Sequence, residues 1–134
     1  MSDNLHELGR AAVALPGWEW QPGMLAVEHD GSLWRYVGVD REGDHGWVDG
    51  DGLVVWDEPW DVMPMLDDPA TLGWLEWLVR RAWGMSCWAE TRTGTTWWAY
   101  GADASKPDPR CLGYGDSRAH ALVAALRAAP GRAP

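Results

Sequence analysis

Residues 40–51, DREGDHGWVDGD, place five carboxylates and one imidazole within a dozen positions. Three chemistries are open to such a set: cation binding, acid–base catalysis, and display of charge to a basic partner. As a calcium loop, Asp40, Glu42, Asp44 and Asp51 occupy the first, third, fifth and twelfth positions. His45 then stands where the sharp turn wants glycine, and no helical flanks surround the loop. A solvated acidic loop is the better reading. As an enzyme site, Asp44, His45 and Asp49 supply carboxylates and a base, which a deep pocket would have to join to His29 or Cys87. Only their crowding supports that choice. His6, His29, His45 and His120 have no short spacing to Cys87 or Cys111, so neither zinc nor a cysteine–histidine pair is indicated. GYGDS lacks the nucleophile-elbow pattern. Gly113 and Gly115 before a helix suggest an anion nest, but Asp116 would repel the anion. No catalytic residue, metal ligand or cofactor is therefore assigned.

The aromatic residues offer a second kind of chemistry. Trp34 with Tyr36, and Trp98 with Tyr100, are spaced as pairs along strands, as a base-stacking platform requires. Arg35 or Arg92 would then meet a phosphate. The same rings equally suit a sheet face buried under helices, and three amphipathic helices need such a face. The core reading is favoured. Twelve tryptophans accompany no phenylalanine, and ten arginines accompany the single Lys106. This usage suits a GC-rich genome and explains part of the tryptophan excess. In LPGWEWQPGM, Trp18 and Trp20 stand two apart on an extended connector and share a side. At least one is expected to lock the first helix onto the sheet. The tryptophan surplus suggests a homo-oligomer whose interface uses Trp18, Trp20, Trp74 and Trp77.

The 134 residues are 46% hydrophobic, which suits one folded domain over residues 1–134 with a frayed end at 131–134. The formal charge of −9 disfavours direct binding to nucleic acid. Residues 28–68 hold 12 acidic and 2 basic side chains, whereas residues 69–134 hold 5 and 8. No long apolar run or leader is visible, so no membrane partner and a cytoplasmic location are expected. The two cysteines make no disulfide framework and are expected to be reduced.

Hydropathy places helices at 4–14, capped by Asn4, at 69–83, capped by Asp68 with Pro69 at the first position, and after Asp116 or Ser117. Strands are expected at 24–28, 33–39, 53–56 and 111–114, with two more in the stretch SCWAETRTGTTWWAYG at 86–101. Asp30-Gly31 reads as a two-residue hairpin turn, and a second hairpin turns at Thr93-Gly94. Residues 40–52 read mainly as loop or a short irregular hairpin, and after Trp56 the prolines Pro59 and Pro64 argue against regular structure. The expected architecture is α+β, a mainly antiparallel curved sheet of about four to five strands covered by helices.

LPGWEWQPGM at 15–24, LDDPATLGWLEWLVRRAWG at 66–84 and HALVAALRAAP at 120–130 resemble small uncharacterised proteins of tailed bacteriophages and prophages. The resemblance implies no activity and no catalytic residues. It implies a non-catalytic accessory protein in the host-cell cytoplasm that binds a host, defence or phage protein. The acidic surface of Asp40, Glu42, Asp44, Asp49 and Asp51 would steer a basic partner, and Trp47 and Trp56 would anchor it. A small-molecule or nucleotide binder using exposed tryptophan, and a small enzyme of unknown class, are the alternatives.

Overall fold

The structure, a computed structural model, describes residues 3–56, 62–105 and 108–130. The chain runs α1 (Asp3–Val13), β1 (Leu25–Glu28), β2 (Leu33–Val39), β3 (His45–Val48), β4 (Val54–Trp56) and β5 (Val62–Pro64). It continues through α2 (Pro69–Trp83), β6 (Ser86–Thr91), β7 (Trp97–Ala102), β8 (Arg110–Gly115) and α3 (Arg118–Ala128). All pairings are antiparallel, but the single curved sheet expected from sequence is not formed. The strands make two separate sheets, ordered β4-β3-β2-β1-β5 and β6-β7-β8. The larger sheet is an open ladder with β4 and β5 at its edges, and it is not curled.

The chain divides into two compact units, Met1–Val13 with Glu19–Trp74, and Ala14–Trp18 with Leu75–Pro134. Their sequences carry 15 acidic against 3 basic residues in the first unit and 5 against 8 in the second. The uneven charge along the chain thus follows the division of the fold.

Local chemistry accounts for most element ends. α1 starts at Asp3, so Asn4 is a helical residue and not the expected cap. Asp68 caps α2, its Oδ2 accepting the Thr71 amide at 3.1 Å. Ser117 caps α3 by accepting the His120 amide at 3.1 Å. The region around Pro64, expected to be irregular, forms β5. Pro64 lies opposite Ala26 on an edge strand, where a missing N–H is tolerated. Pro59 lies outside the described residues. Residues 45–48, in the stretch expected as mainly loop or a short irregular hairpin, form β3 between β2 and β4.

The three turns linking β1 to β4 share one construction. In each, a backbone amide bonds back three residues and the pair closing the loop is four apart: Glu28 with Ser32, Asp40 with Asp44, and Asp49 with Leu53. Gly31, Gly43 and Gly52 take the left-handed position that this geometry needs, with φ of 90°, 84° and 86°. The first turn is therefore centred on His29-Asp30, one residue before the Asp30-Gly31 reading.

Each unit has its own packing logic. In the first, one face of the larger sheet buries Ala26, Tyr36 and Trp47, with Trp20, Trp34 and Val62 packed against them. Trp20 meets Trp47 edge-on at 5.0 Å, and Tyr36 meets Trp47 at 5.0 Å. Such tilted pairs are preferred by ring quadrupoles. In the second, α3 lies directly on the smaller sheet. A Cβ on Gly113 would stand 2.6 Å from the Ala125 nitrogen and 2.9 Å from the Ala121 oxygen. Only glycine admits the helix backbone this closely.

Candidate functional site

The five expected partner-binding acids do not form one cluster. Asp40, Glu42 and Asp44 occupy the β2–β3 turn, while Asp49 and Asp51 occupy the β3–β4 turn. These turns lie at opposite ends of β3, whose four residues span about 13 Å. Two of the acids also build the turns. Asp40 Oδ1 accepts the Glu42 and Asp44 amides, and Asp49 Oδ1 accepts the Asp51 and Leu53 amides, all at 2.9 Å. Glu42 and Asp51 are exposed. Asp30, in the β1–β2 turn, adds a carboxylate to the Asp49 end, because successive hairpins return there. The Ser32 backbone and side chain hold its pKa below the usual value. The repeated pattern of Asp followed three residues later by Gly, at 40–43 and 49–52, was the sequence signal for this arrangement.

The two expected anchors separate as well. Trp47 is 4% exposed and is a core ring, so it presents no surface to a partner. Trp56 is 45% exposed. Strand register explains the difference: Trp47 pairs with Tyr36 and Val55 on the closed face, whereas Trp56 pairs with Gly46 on the other. The Trp56 ring lies over Gly46, beside Val37, whose Cγ2 is 2.7 Å from where a Gly46 Cβ would be. Leu33, Val37, Val54 and Trp56 are all exposed large apolar side chains. By alternation and pairing they belong to the face away from Trp47. This apolar face, ending in carboxylate turns at both ends, was not read from the sequence.

Arg35 shares that face and is held in place. Its guanidinium pairs with both Asp68 oxygens, at 3.0 and 3.2 Å, and donates to the Gly23 carbonyl at 2.9 Å. Burial alone would raise the Asp68 pKa, but Arg35 and the Thr71 amide and hydroxyl outweigh it and hold the carboxyl below its usual range. Thr71 is itself buried and accepts the Leu25 amide at 2.9 Å. Arg35 is thus a structural cation tying β2 to the start of α2, and not the phosphate contact considered above.

The expected oligomer set is also divided. Trp20 and Trp74 belong to the first unit, Trp18 and Trp77 to the second. Trp20 is packed in the aromatic core, and Trp74 Nε1 donates to the Pro22 carbonyl at 2.9 Å. Trp77 is exposed, with the Arg81 guanidinium 5.0 Å from its ring centre.

The remaining chemistry is dispersed. His45 Nδ1 shares a 2.6 Å hydrogen bond with Tyr36 Oη. Burial, with help from the Glu19 charge, pushes the Tyr36 pKa up, so the phenol stays protonated. Asp44 adjoins His45 in sequence, but Asp49 is at the far end of β3. Cys87 is buried in the second unit, and burial raises its thiol pKa, which disfavours the nucleophilic thiolate. Both cysteines are free thiols. Gly113 and Gly115 accommodate α3. Trp34 and Tyr36 lie in one sheet and Trp98 and Tyr100 in the other, so the four rings do not share a sheet. Among the described residues, no group of three or more His, Cys, Asp or Glu side chains could hold a metal ion. No helix among them is long and apolar enough to cross a membrane.

No protein-family model matches the chain, no curated protein is similar to it, and no solved structure resembles it.

Proposed function

We propose that the protein is a non-catalytic binding module whose contact surface is the β2–β4 part of the larger sheet's face away from Trp47. The observation that carries this reading is the exposed set Leu33, Val37, Val54 and Trp56 between two carboxylate-bearing ends. An exposed ring beside aliphatic neighbours is the composition of an interface centre, and charged turns make a polar rim. The partner that fits is a protein with an apolar ridge flanked by basic side chains. Opposite charge would steer its approach and fix its orientation, while Trp56 would supply most of the affinity. The resemblance of residues 15–24, 66–84 and 120–130 to phage proteins supports seeking that partner among host, defence or phage proteins in the bacterial cytoplasm.

The test is recovery of a partner from the natural bacterial host with wild-type bait, Trp56→Ala bait and bait with Asp40, Glu42, Asp44, Asp49 and Asp51 changed to their amides. Trp56→Ala should weaken the recovered complex by roughly tenfold or more. The amide variant should slow association and remove its salt dependence. Equal affinity for all three baits would place the contact elsewhere and overturn the proposal.

A further inference from the structure

The smaller sheet carries aromatic rings from all three of its strands on the face opposite α3. The helix lies against Gly113 and Gly115, and Ala99, the partner of Gly113, is fully buried on the same side. By alternation Trp88, Trp98, Tyr100 and Tyr114 point the other way. Register joins them, for Trp88 pairs with Tyr100 and Trp98 pairs with Tyr114. The Trp88 and Tyr100 ring centres are 6.0 Å apart. Tyr114 is 68% exposed, and the other three rings are partly exposed. The four Cα positions span about 10 Å across the strands and about 7 Å along them.

Cross-strand ring pairs stabilise any sheet, but that role does not require their polar edges to stay open. The indoles of Trp34, Trp74 and Trp83 each donate to an oxygen within the molecule. Trp88 and Trp98 differ. Among the described residues, no group accepts from either Nε1, and none pairs with Tyr100 Oη or Tyr114 Oη. Both of these indole N–H groups reach solvent. Glu90 shares the face, and Arg92 Nη2 stands 3.7 Å from its Oε1. The Arg92 guanidinium also lies 5.7 Å from the centre of the Tyr100 ring. The charges beside the rings are therefore opposite and close together.

We infer that these four rings bind a neutral glycan of equatorially substituted pyranose units. Such a sugar has two flat C–H faces and a rim of hydroxyls. Its polarised C–H bonds pack onto the negative faces of aromatic rings. Its oxygens accept from the indole N–H groups and the phenols, and its hydroxyls donate to Glu90. Single-stranded nucleic acid also stacks on such rings, but its phosphates need cations. Arg92 is opposed by Glu90, in a chain of net charge −9. A second copy would need roughly 800 Å² per partner, far more than a patch of these dimensions offers. The inference does not rest on the protein-binding reading, and either can fail alone.

Calorimetric titration of the full chain with cellohexaose and chitohexaose, and with oligothymidylate for comparison, tests it. At least one glycan should bind saturably, with an affinity that stays the same from low to high salt. Trp98→Ala should weaken that binding by about tenfold or more. Tyr114→Ala should weaken it several-fold, and this ring is so far into solvent that its loss leaves the fold intact. Trp56→Ala, in the larger sheet, should bind the glycan as wild type does. Circular dichroism of each variant verifies that the fold is kept. No saturable binding of either glycan, unchanged affinity in folded Trp98→Ala or in Tyr114→Ala, or tighter and salt-sensitive binding of oligothymidylate would overturn the inference.

Discussion

Each sheet has a face where a glycine meets something large, and the two faces use that glycine differently. Gly113 lies under the backbone of α3, so its face is sealed by a helix. Gly46 lies under the Trp56 ring, a side chain that is itself half in solvent. A helix backbone cannot move without breaking its own hydrogen bonds, whereas a ring on an edge strand can rotate away. The first contact serves stability. The second leaves an apolar surface that a partner could complete.

That difference is open to measurement. Gly113→Ala should destabilise the protein by about 2–3 kcal/mol, since the added methyl group meets backbone and not a flexible side-chain end. Gly46→Ala should cost only about 1 kcal/mol by the same overpacking argument, because Trp56 can yield. Denaturant unfolding of both variants decides the matter. Equal losses would mean that Trp56 is as fixed as α3, and the open face would lose its adaptability.

The caps of the second and third helices sharpen the contrast between charged and neutral construction. Asp68 caps α2 and pairs with Arg35, while an uncharged Ser117 caps α3. Because its folded-state pKa is depressed, Asp68 contributes stability that is present above its ordinary value of 3.8. That contribution is lost as pH falls through the lower folded-state value. Asp68→Asn keeps a capping oxygen but loses the Arg35 ion pair, so it should lower stability by about 0.5–1 kcal/mol at neutral pH and flatten the acid limb of the curve. Ser117→Ala should cost a similar amount, about 1 kcal/mol, at every pH. Thermal melts across the acid range separate the two, and an unflattened limb in Asp68→Asn would remove Asp68 from the account.

The smallest expected effect concerns the turns. The first unit staples its β2–β3 and β3–β4 turns with Asp40 and Asp49 carboxylates, while the β6–β7 turn uses the Thr91 hydroxyl, which accepts the Gly94 amide at 2.9 Å. Asp40→Ala or Asp49→Ala should each cost about 0.5–1 kcal/mol, through loss of two amide partners. The asparagine variants keep an acceptor oxygen and should unfold close to wild type. If asparagine proved as costly as alanine, charge and not hydrogen bonding would be holding the turns.

The sequence by itself determined what depends on neighbours a few residues apart. Pro69 at the start of α2, Gly84 after its end and a cap at Asp116 or Ser117 act through local dihedrals and local hydrogen bonds, so these helix ends were legible. The acidic and basic halves were legible for the same reason, charge being additive along the chain. Tertiary structure alone decided which strands shared a ladder, because pairing β1 with β5 closes a long loop that no local pattern marks. It also decided the fates of Trp47 and Trp56. Both are large rings in short strands flanked by acids, and only the pairing of Trp47 with Tyr36 and of Trp56 with Gly46 sends one into the core and the other to the surface. A side chain's type sets how much burial would stabilise it, but the register of its strand sets which side it faces.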